Sequence, residues 1–372
     1  MKQILFILTF FLNQYICLAQ TNYKKQNDSA EVFIQQTIKD LNVSGLAVAV
    51  IKDGKVLKMS CYGKANYDWN LKIDAHTNFQ IASTTKLLTS TLVMKSLYNK
   101  KFALDDLVSN YVENAPNSWQ GMKIRHLLNH TSGIRDFKGD RYTSTDKVVN
   151  SLKDSTLAYP TGTKQAYMSG DFTILLHILE KIYKMPYPEI LRTEITNPLR
   201  MKDGAFDRER MVSEWMETDS VHNKASTYYV KNGKRIPYKF FYPQFTYTAG
   251  GYFASLTDLV NWAIGIDEEI LFPSVFEKSI AYKADTVGTT KSGFSQIGLS
   301  IGDFNGMRFG GHSGGPALGD VLRFPDEKIT IIILSNDGEL LPYFAPAILT
   351  FYVPGLFFER KVTKFKRTQA LK

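Results

Sequence analysis

The sequence predicts an α/β (α+β) fold in which an antiparallel sheet is flanked by helices and interrupted by a helical insertion. Two extended apolar runs, 46–51 and 56–59, flank Asp53-Gly54, a dipeptide suited to the tight turn of a β-hairpin. Helical patterns then dominate from residue 84 to about residue 215, including 173–183. Strand-like runs return at 321–324 and 329–334. These patterns indicate an α/β domain divided by a helical insertion.

Weaker signals set the remaining boundaries. A helix is expected at about 28–41, and Asn232-Gly233 marks a second hairpin. We assign 1–19 to a signal peptide, 20–358 to the folded domain and 359–372 to a basic tail. Within the domain, the α/β part comprises about 28–82 and 240–358, and the helical part about 83–239. The first helix of the insertion would begin at Ser83, on the boundary between the two parts.

The composition fits a globular enzyme. A chain of 372 residues with 44% hydrophobic residues can bury a full core. The formal charge of +9 is modest for this length, and the basic residues are dispersed until the C-terminus, which argues against nucleic-acid binding. The six histidines lack the usual ligand clusters, and His-Glu-x-x-His and Cys-x-x-Cys do not occur. We therefore expect neither a metal nor a cofactor.

The N-terminus has the layout of a secretory signal peptide. Lys2 precedes an apolar stretch at 4–12, and cleavage is expected after Ala19 or Gln20. A lipid anchor on Cys17 is disfavoured because Ile16 stands where a small residue is expected. The protein is therefore expected to be exported, to the periplasm or the medium.

Residues 340–358 form an uncharged stretch followed by a basic tail. Its length would suit a membrane anchor, but Pro342, Pro346 and Pro354 interrupt it. We favour a terminal helix packed on the sheet and keep contact with a membrane surface as the alternative.

Ser83-Thr84-Thr85-Lys86 indicates nucleophilic chemistry. A serine hydroxyl is a poor nucleophile until a base takes its proton, and a lysine three residues further along a helix can lie on the same face. The following residues are largely apolar, so this lysine should be desolvated and its pKa lowered towards neutrality. Ser144-Thr145-Asp146-Lys147 repeats the spacing, but its polar setting indicates a helix N-cap instead.

Further motifs follow Ser83 in a fixed order, and the matching segments together run from about residue 30 to about residue 350. They are Leu127-Leu128-Asn129-His130-Thr131-Ser132-Gly133-Ile134, Tyr167-Met168-Ser169, Ala249-Gly250-Gly251 and Gly311-His312-Ser313-Gly314-Gly315. This ordered set resembles the serine β-lactamase and penicillin-binding protein superfamily, in particular its class C-like branch. The resemblance implies a β-lactamase/transpeptidase-like fold, with the helical insertion and the sheet enclosing the site.

By this resemblance, Ser83 is acylated and Lys86 and Tyr167 share the proton transfers. A tyrosine serves as a base only if its pKa is lowered or its proton is passed on, so a neighbouring lysine suits the role. The backbone N–H groups of Ser83 and Gly315 would form the oxyanion hole.

The same resemblance implies that Ser169, His312, Ser313 and Gly314 contact substrate, with His312 placed at the edge of the sheet. Two of these positions depart from the family pattern. Ser169 replaces an asparagine, and His312, largely neutral at pH 7, stands where many relatives have a lysine. We therefore rank peptides and esters above β-lactams as substrates.

Two other interpretations compete. The segment from Gly311 to Gly315 also satisfies the Gly-x-Ser-x-Gly nucleophile elbow, but that fold needs a histidine after the serine and none follows His312. The fold could also belong to a non-catalytic protein that binds peptidoglycan or peptides.

The favoured function is an exported, cofactor-independent serine hydrolase that cleaves an amide or ester through an acyl-enzyme. Its substrate would be a small molecule or peptide, possibly derived from the cell wall, and the enzyme would be of the D-amino-acid peptidase, carboxypeptidase or esterase type.

Overall fold

The structure is a computed structural model that describes residues 23–284, 293–315, 318–356 and 358–365. The predicted signal peptide therefore lies outside the described residues. The helices are α1 Lys24–Leu41, α2 Thr85–Tyr98, α3 Ile124–Leu128, α4 Thr145–Lys153, α5 Ser169–Tyr183, α6 Tyr187–Leu191, α7 Leu256–Asp267, α8 Ser274–Ile280 and α9 Phe344–Tyr352.

The strands are mostly short outside one large sheet. They are β1 Gly45–Lys52, β2 Lys55–Asn66, β3 Leu71–Lys72, β4 Phe79–Gln80, β5 Ala205–Phe206, β6 Glu209–Val212, β7 Trp215–Thr218, β8 Thr227–Lys231, β9 Lys234–Tyr238, β10 Tyr252–Ala254, β11 Gly293–Phe294, β12 Ser300–Phe304, β13 Met307–Gly314, β14 Gly319–Phe324 and β15 Ile329–Ser335.

The main sheet has the strand order β11-β12-β13-β14-β15-β1-β2-β3. Each neighbouring pair is antiparallel. Strands from the two ends of the chain meet where β1 pairs with β15, with Leu46 opposite Ser335. The predicted fold class, an antiparallel sheet flanked by helices, is confirmed.

Both predicted hairpins form where the turn residues favour them. Asp53 and Gly54 adopt φ of 50° and 70° between β1 and β2. Asn232 and Gly233, at 51° and 75°, join β8 to β9. Left-handed backbone at both central positions suits the right-handed twist of the flanking strands.

The central strands are buried on both faces because helices cover each side. In β1, Ala47 and Ala49 face one core cluster, whereas Val48 and Val50 face another. This alternation follows from the two-residue period of a strand and explains why β1 is a continuous apolar run. Helices α1 and α9 cover one face, and α7 packs on the other.

Helix α2 runs through the interior behind the sheet. All of its residues from Thr85 to Met94 are buried, which explains why its apolar residues are not confined to one face of the helix. Helix α5 is also largely buried and begins at Ser169, four residues before the predicted start of that helix. Helix α4 begins directly after Ser144, as expected for the second Ser-x-x-Lys copy.

Three features differ from the sequence-based expectations. Helical structure was predicted to extend to about residue 215, but strands begin at Ala205, and 205–238 contains β5 to β9. His312 was predicted at the sheet edge, but β13 is an inner strand because β11 and β12 pair outside it. The short β11 carries no strand signal strong enough to have been predicted. The helix expected at 28–41 also begins earlier, at Lys24.

The uncharged C-terminal stretch forms the predicted terminal helix. In α9, Phe344, Ile348 and Leu349 are buried against α1 and β15. In the described part of the chain, the search for a helix both long enough and apolar enough to cross a membrane finds none.

Candidate active site

Ser83 lies in a tight turn between β4 and α2. The chain leaves β4 at Gln80, forms a 3-10 turn at Ala82–Thr84 and enters the helix at Thr85. Ala82 has φ of 48°, a left-handed conformation that non-glycine residues rarely adopt. Thr84 Oγ1 donates a hydrogen bond to Gly319 O at 3.0 Å and so ties the turn to the sheet. Ser83 itself is half-buried.

Strand β13 passes so close to this turn that Gly314 has no room for a side chain. A Cβ atom on Gly314 would lie 2.1 Å from Ile81 O and 3.0 Å from Thr84 Oγ1. The neighbouring Gly315 is exposed, and a Cβ atom there would meet nothing within 4 Å. Gly314 is therefore required by close approach, whereas Gly315 is not.

Lys86 is buried directly behind Ser83, with a relative exposure of 1%. Its Nζ donates to Tyr167 Oη at 2.7 Å and to Ala249 O at 2.8 Å. Burial lowers the pKa of Lys86 to about 7, and the nearby Asp136 and Asp171 oppose part of this decrease. Near neutral pH, a substantial fraction of this amine is therefore unprotonated.

Tyr167 joins Lys86 to Ser83. Its Oη donates to Ser83 Oγ at 3.0 Å, while 43% of the residue surface stays exposed. Burial of the hydroxyl raises the pKa of Tyr167 above its usual value of 10, against the effect of the Ser83 hydrogen bond. The raised pKa disfavours a free phenolate, so of the two routes by which a tyrosine can serve as a base, transfer of its proton to Lys86 is favoured.

His312 lies beside this triad as a neutral imidazole. It is 5% exposed, and its ring centroid is 6.4 Å from that of Tyr167. Its Nδ1 is 2.8 Å from Ser313 O, so this nitrogen carries the proton and Nε2 is the acceptor. Burial, together with the charge of Lys86, lowers the pKa of His312 to about 3. His312 therefore supplies no cation at neutral pH.

Ser313 and Ser169 are the two serines predicted to contact substrate. Ser313 Oγ donates to Asp320 Oδ1 at 2.6 Å, because the two residues face each other across β13 and β14. Burial raises the pKa of Asp320 to about 7. Ser169 starts α5, and none of the hydrogen bonds of the described residues joins its hydroxyl to Lys86 or Tyr167. The elbow interpretation of Ser313 is wrong, since this serine lies within an extended strand.

His130 packs against the ring of Tyr167 and is itself hydrogen-bonded to Asp171. The ring centroids of His130 and Tyr167 are 4.7 Å apart, and His130 Nδ1 is 2.8 Å from Asp171 Oδ2. His130 O also accepts a hydrogen bond from Ala166 N at 2.9 Å. Burial lowers the pKa of His130 well below its usual value and raises that of Asp171 well above it, which favours the neutral form of each group. These contacts tie the segment that carries His130 to α5 and to the residue before Tyr167.

Two further residues near the site were not singled out from the sequence. Asp136 accepts a hydrogen bond from Gly170 N at 3.0 Å and is exposed. Its position, six residues after His130 in a motif-bearing segment, could have drawn attention to it. Phe294 packs with its ring centroid 5.5 Å from Tyr167 and 4.7 Å from His130. It comes from β11, for which the sequence contains no comparable signal.

The arrangement is suited to nucleophilic chemistry at Ser83. A hydroxyl, a phenol and a largely desolvated amine form a continuous chain of hydrogen bonds from Ser83 to Lys86. Across the four described ranges, the search for three or more His, Cys, Asp or Glu side chains that could hold a metal ion finds no such group.

The fold and this serine–lysine–tyrosine site define a β-lactamase-related protein. The sequence profile of the Beta-lactamase family matches residues 31–348, and the chain belongs to that family.

Individual relatives are distant. The chain is 24% identical over 227 residues to the teichoic acid D-alanine hydrolase of Staphylococcus aureus (strain MRSA252), covering 61% of this chain and 55% of that protein. It is 25% identical over 193 residues to protein flp of Staphylococcus aureus (strain MW2), covering 48% of this chain and 39% of that protein. The chain thus spans about half the length, or less, of these curated relatives.

Solved structures share the fold over a larger part of the chain. The octameric penicillin-binding protein homologue from Pyrococcus abyssi superposes with a TM-score of 0.73 at 24% identity, over 87% of this chain and 77% of that one. SurE superposes with a TM-score of 0.74 at 18% identity, over 90% of this chain and 76% of that one. At these identities the likeness concerns the fold alone.

Proposed function

We propose that this protein is a serine hydrolase that cleaves an ester or amide through an acyl-enzyme on Ser83. The observation that carries the proposal is the hydrogen-bonded chain Ser83–Tyr167–Lys86, which ends on an amine whose pKa is about 7. A base with a pKa near the working pH is the most effective, because it is both available and strong enough. Export, expected from the N-terminal sequence, is part of the proposal.

The proposed reaction begins when Ser83 Oγ attacks the substrate carbonyl carbon. For this step both hydrogen bonds reverse direction, so that Ser83 Oγ donates to Tyr167 Oη and Tyr167 Oη donates to the neutral Lys86 Nζ. The serine proton then passes to Tyr167 Oη as the tyrosine proton passes to Lys86 Nζ, which becomes an ammonium group. The negative oxygen of the tetrahedral intermediate would be held by the backbone N–H groups of Ser83 and Gly315, as the family resemblance implies. When the intermediate collapses, the leaving group takes a proton back through Tyr167. A water molecule then hydrolyses the acyl-enzyme by the same relay.

Esters and amides of D-alanine are the favoured substrates. Support comes from the distant relatives named as teichoic acid D-alanine hydrolases. The neutral His312 also argues against efficient binding of a penicillin, since its carboxylate would meet no permanent cation at this position.

The proposal is tested by intact-mass spectrometry of the purified protein after exposure to an activated phosphonate ester and, separately, to a penicillin. We expect a phosphonate adduct of one equivalent that is absent in Ser83→Ala. The matched control is Ser144→Ala, which removes the serine of the other Ser-x-x-Lys copy and should leave the adduct unchanged. Folded protein that forms no adduct with either reagent would refute the proposal and favour the peptide-binding alternative.

A further inference from the structure

Burial removes charge from several of the ionisable groups around Ser83. Burial lowers the pKa values of His312 and His130 and raises that of Asp171, so it favours the neutral form of each. Lys86 is close to half protonated at pH 7 and is committed to Tyr167 and Ala249. Among the described residues, the exposed Asp136 is a carboxylate that acts electrostatically on both Lys86 and Tyr167.

Asp136 is held close to the reacting groups by the start of α5. Its Oδ1 accepts from Gly170 N at 3.0 Å, three residues after Tyr167. A Cβ atom on Gly170 would lie 2.3 Å from Arg135 O, so the two segments are in direct backbone contact. The carboxylate is near enough to raise the pKa values of both Lys86 and Tyr167. Asp136 therefore lies beside the site and not on a remote surface.

The Asp136 carboxylate also has capacity left for a ligand. Only one of its oxygens is engaged by Gly170, and among the described residues no lysine, arginine or histidine forms an ion pair with it. The neighbouring Arg135 is directed elsewhere, since its Nε donates to Thr156 O at 3.0 Å. An ionised carboxylate accepts hydrogen bonds and cannot donate them, so its natural partner is a cation or an N–H donor.

The imidazole of His312 is a second hydrogen-bond acceptor beside Ser83. His312 Nε2 is buried and has no hydrogen-bond partner among the described residues. Because Nδ1 donates to Ser313 O, Nε2 presents a lone pair on the ring that lies beside Tyr167 and Phe294. A buried acceptor without a partner is costly unless a ligand or water donates to it. The site therefore offers acceptors where a carboxylate-binding enzyme would offer a cation.

We infer that Asp136 is a specificity residue that selects acyl groups bearing a free ammonium group. This inference rests on the proposed function and names its substrate class. An alanyl group attached to a polymer through its own carboxyl keeps its amine free, and as an ester it carries no carboxylate. A peptide ending in D-alanine instead carries a carboxylate on its leaving group, for which the neutral His312 supplies no cation. The favoured substrate is thus an aminoacyl ester, not the C-terminus of a peptide.

The experiment compares kcat/KM for D-alanine methyl ester and N-acetyl-D-alanine methyl ester with the whole protein at about pH 6.5, where an α-amino group is largely protonated. The two esters differ in the charged amine. Because both are measured with the same enzyme, any change in the ionisation of Lys86 cancels in their ratio. The variant is Asp136→Asn, whose amide oxygen can still accept from Gly170 N. Asp140→Asn is the matched control, because Asp140 is an exposed carboxylate of the same loop that accepts from Tyr142 N.

We expect the wild-type protein to prefer the free amine by about ten-fold, which corresponds to about 1.4 kcal/mol. Asp136→Asn should reduce this ratio to within about two-fold of unity, whereas Asp140→Asn should leave it unchanged. The inference is overturned by a wild-type ratio near one, by a preference for the acetylated ester, or by an Asp136→Asn variant that keeps the wild-type ratio. Failure to hydrolyse either ester also overturns it. Phosphonate labelling of Ser83 separates these results from failure of the proposed function, because an unlabelled Ser83 refutes both, whereas a labelled one leaves the serine hydrolase standing.

Discussion

The pH dependence of Ser83 acylation is the most direct test of the proton relay. In the proposed mechanism the acceptor of the serine proton is neutral Lys86, reached through Tyr167. With a pKa of about 7, the neutral fraction of Lys86 is about one-tenth at pH 6 and about nine-tenths at pH 8. The rate constant for acylation should therefore rise about ten-fold between these two pH values and then level off.

The midpoint of this profile would lie at a higher pH if Lys86 had an unshifted pKa or if a Tyr167 phenolate were the base. A lysine with its ordinary pKa of 10.5 would give a rate that still rises through pH 9. A Tyr167 phenolate would place the midpoint above 10, because burial raises the pKa of this tyrosine. The position of the plateau thus identifies the group that takes the proton.

The assay follows the phosphonate adduct by intact-mass spectrometry over time, using an activated ester without an ionisable group. The control is Lys86→Met, which should lose both the rapid reaction and its rise near pH 7. A log-linear increase that continues beyond pH 9, in protein that remains folded, would refute the assignment of Lys86 as the acceptor. A profile that is flat from pH 6 to pH 8 would refute it as well.

Two further predictions concern stability and packing. Lys86→Met should stabilise the protein at pH 6. Lowering the pKa of Lys86 from 10.5 to about 7 reduces the stability of the wild type at this pH by on the order of 5 kcal/mol, at about 1.4 kcal/mol per pKa unit. The two hydrogen bonds of Lys86, at about 1 kcal/mol each, offset part of this loss. Between pH 7 and 10.5 the Lys86 side chain is protonated in the unfolded state but not in the folded state, so the stability of the wild type rises with pH and the advantage of the variant shrinks. Urea unfolding at pH 6 and pH 9 measures this difference. A variant less stable than the wild type at pH 6 would contradict the prediction. Gly314→Ala should destabilise the fold by about 1–3 kcal/mol and slow Ser83 labelling, because its Cβ atom would lie 2.1 Å from Ile81 O. Gly315→Ala, with open space around it, should leave the melting temperature within about 2 °C of wild type, and equal effects of the two substitutions would disprove the packing argument.

Local patterns were sufficient for the elements whose signal lies within a few residues. Asp53-Gly54 and Asn232-Gly233 each form the turn they predict, because left-handed backbone is a property of those residues themselves. The helix after Ser83 and the strand that ends near Leu334 follow from apolar runs of adequate length. Where the local signal was weak, as in the short strands from Ala205 to Phe206 and from Gly293 to Phe294, the prediction failed because pairing partners distant in sequence decide whether such strands form.

The order of the motifs along the chain identified Ser83, Lys86 and Tyr167 before any contact was known. The structure joins them by hydrogen bonds of 2.7 Å and 3.0 Å. It also shows a contact that the sequence did not predict, because Asp320 lies directly across the sheet from Ser313 and accepts a hydrogen bond from its hydroxyl. Register between strands determines which side chains meet, and a single sequence does not contain that register.

The sequence by itself determined the antiparallel sheet, its helical interruption and the residues able to form a nucleophile and its base, because these depend on residue type and local periodicity. Only the tertiary structure decided the charges of those residues. Lys86 has a pKa of about 7 and His312 one of about 3 because the folded chain removes them from water, and Asp136 acts on the site because α5 begins beside it. Desolvation and through-space electrostatics depend on groups brought together from distant parts of the chain, which is why the chemistry of the site emerges only from the folded protein.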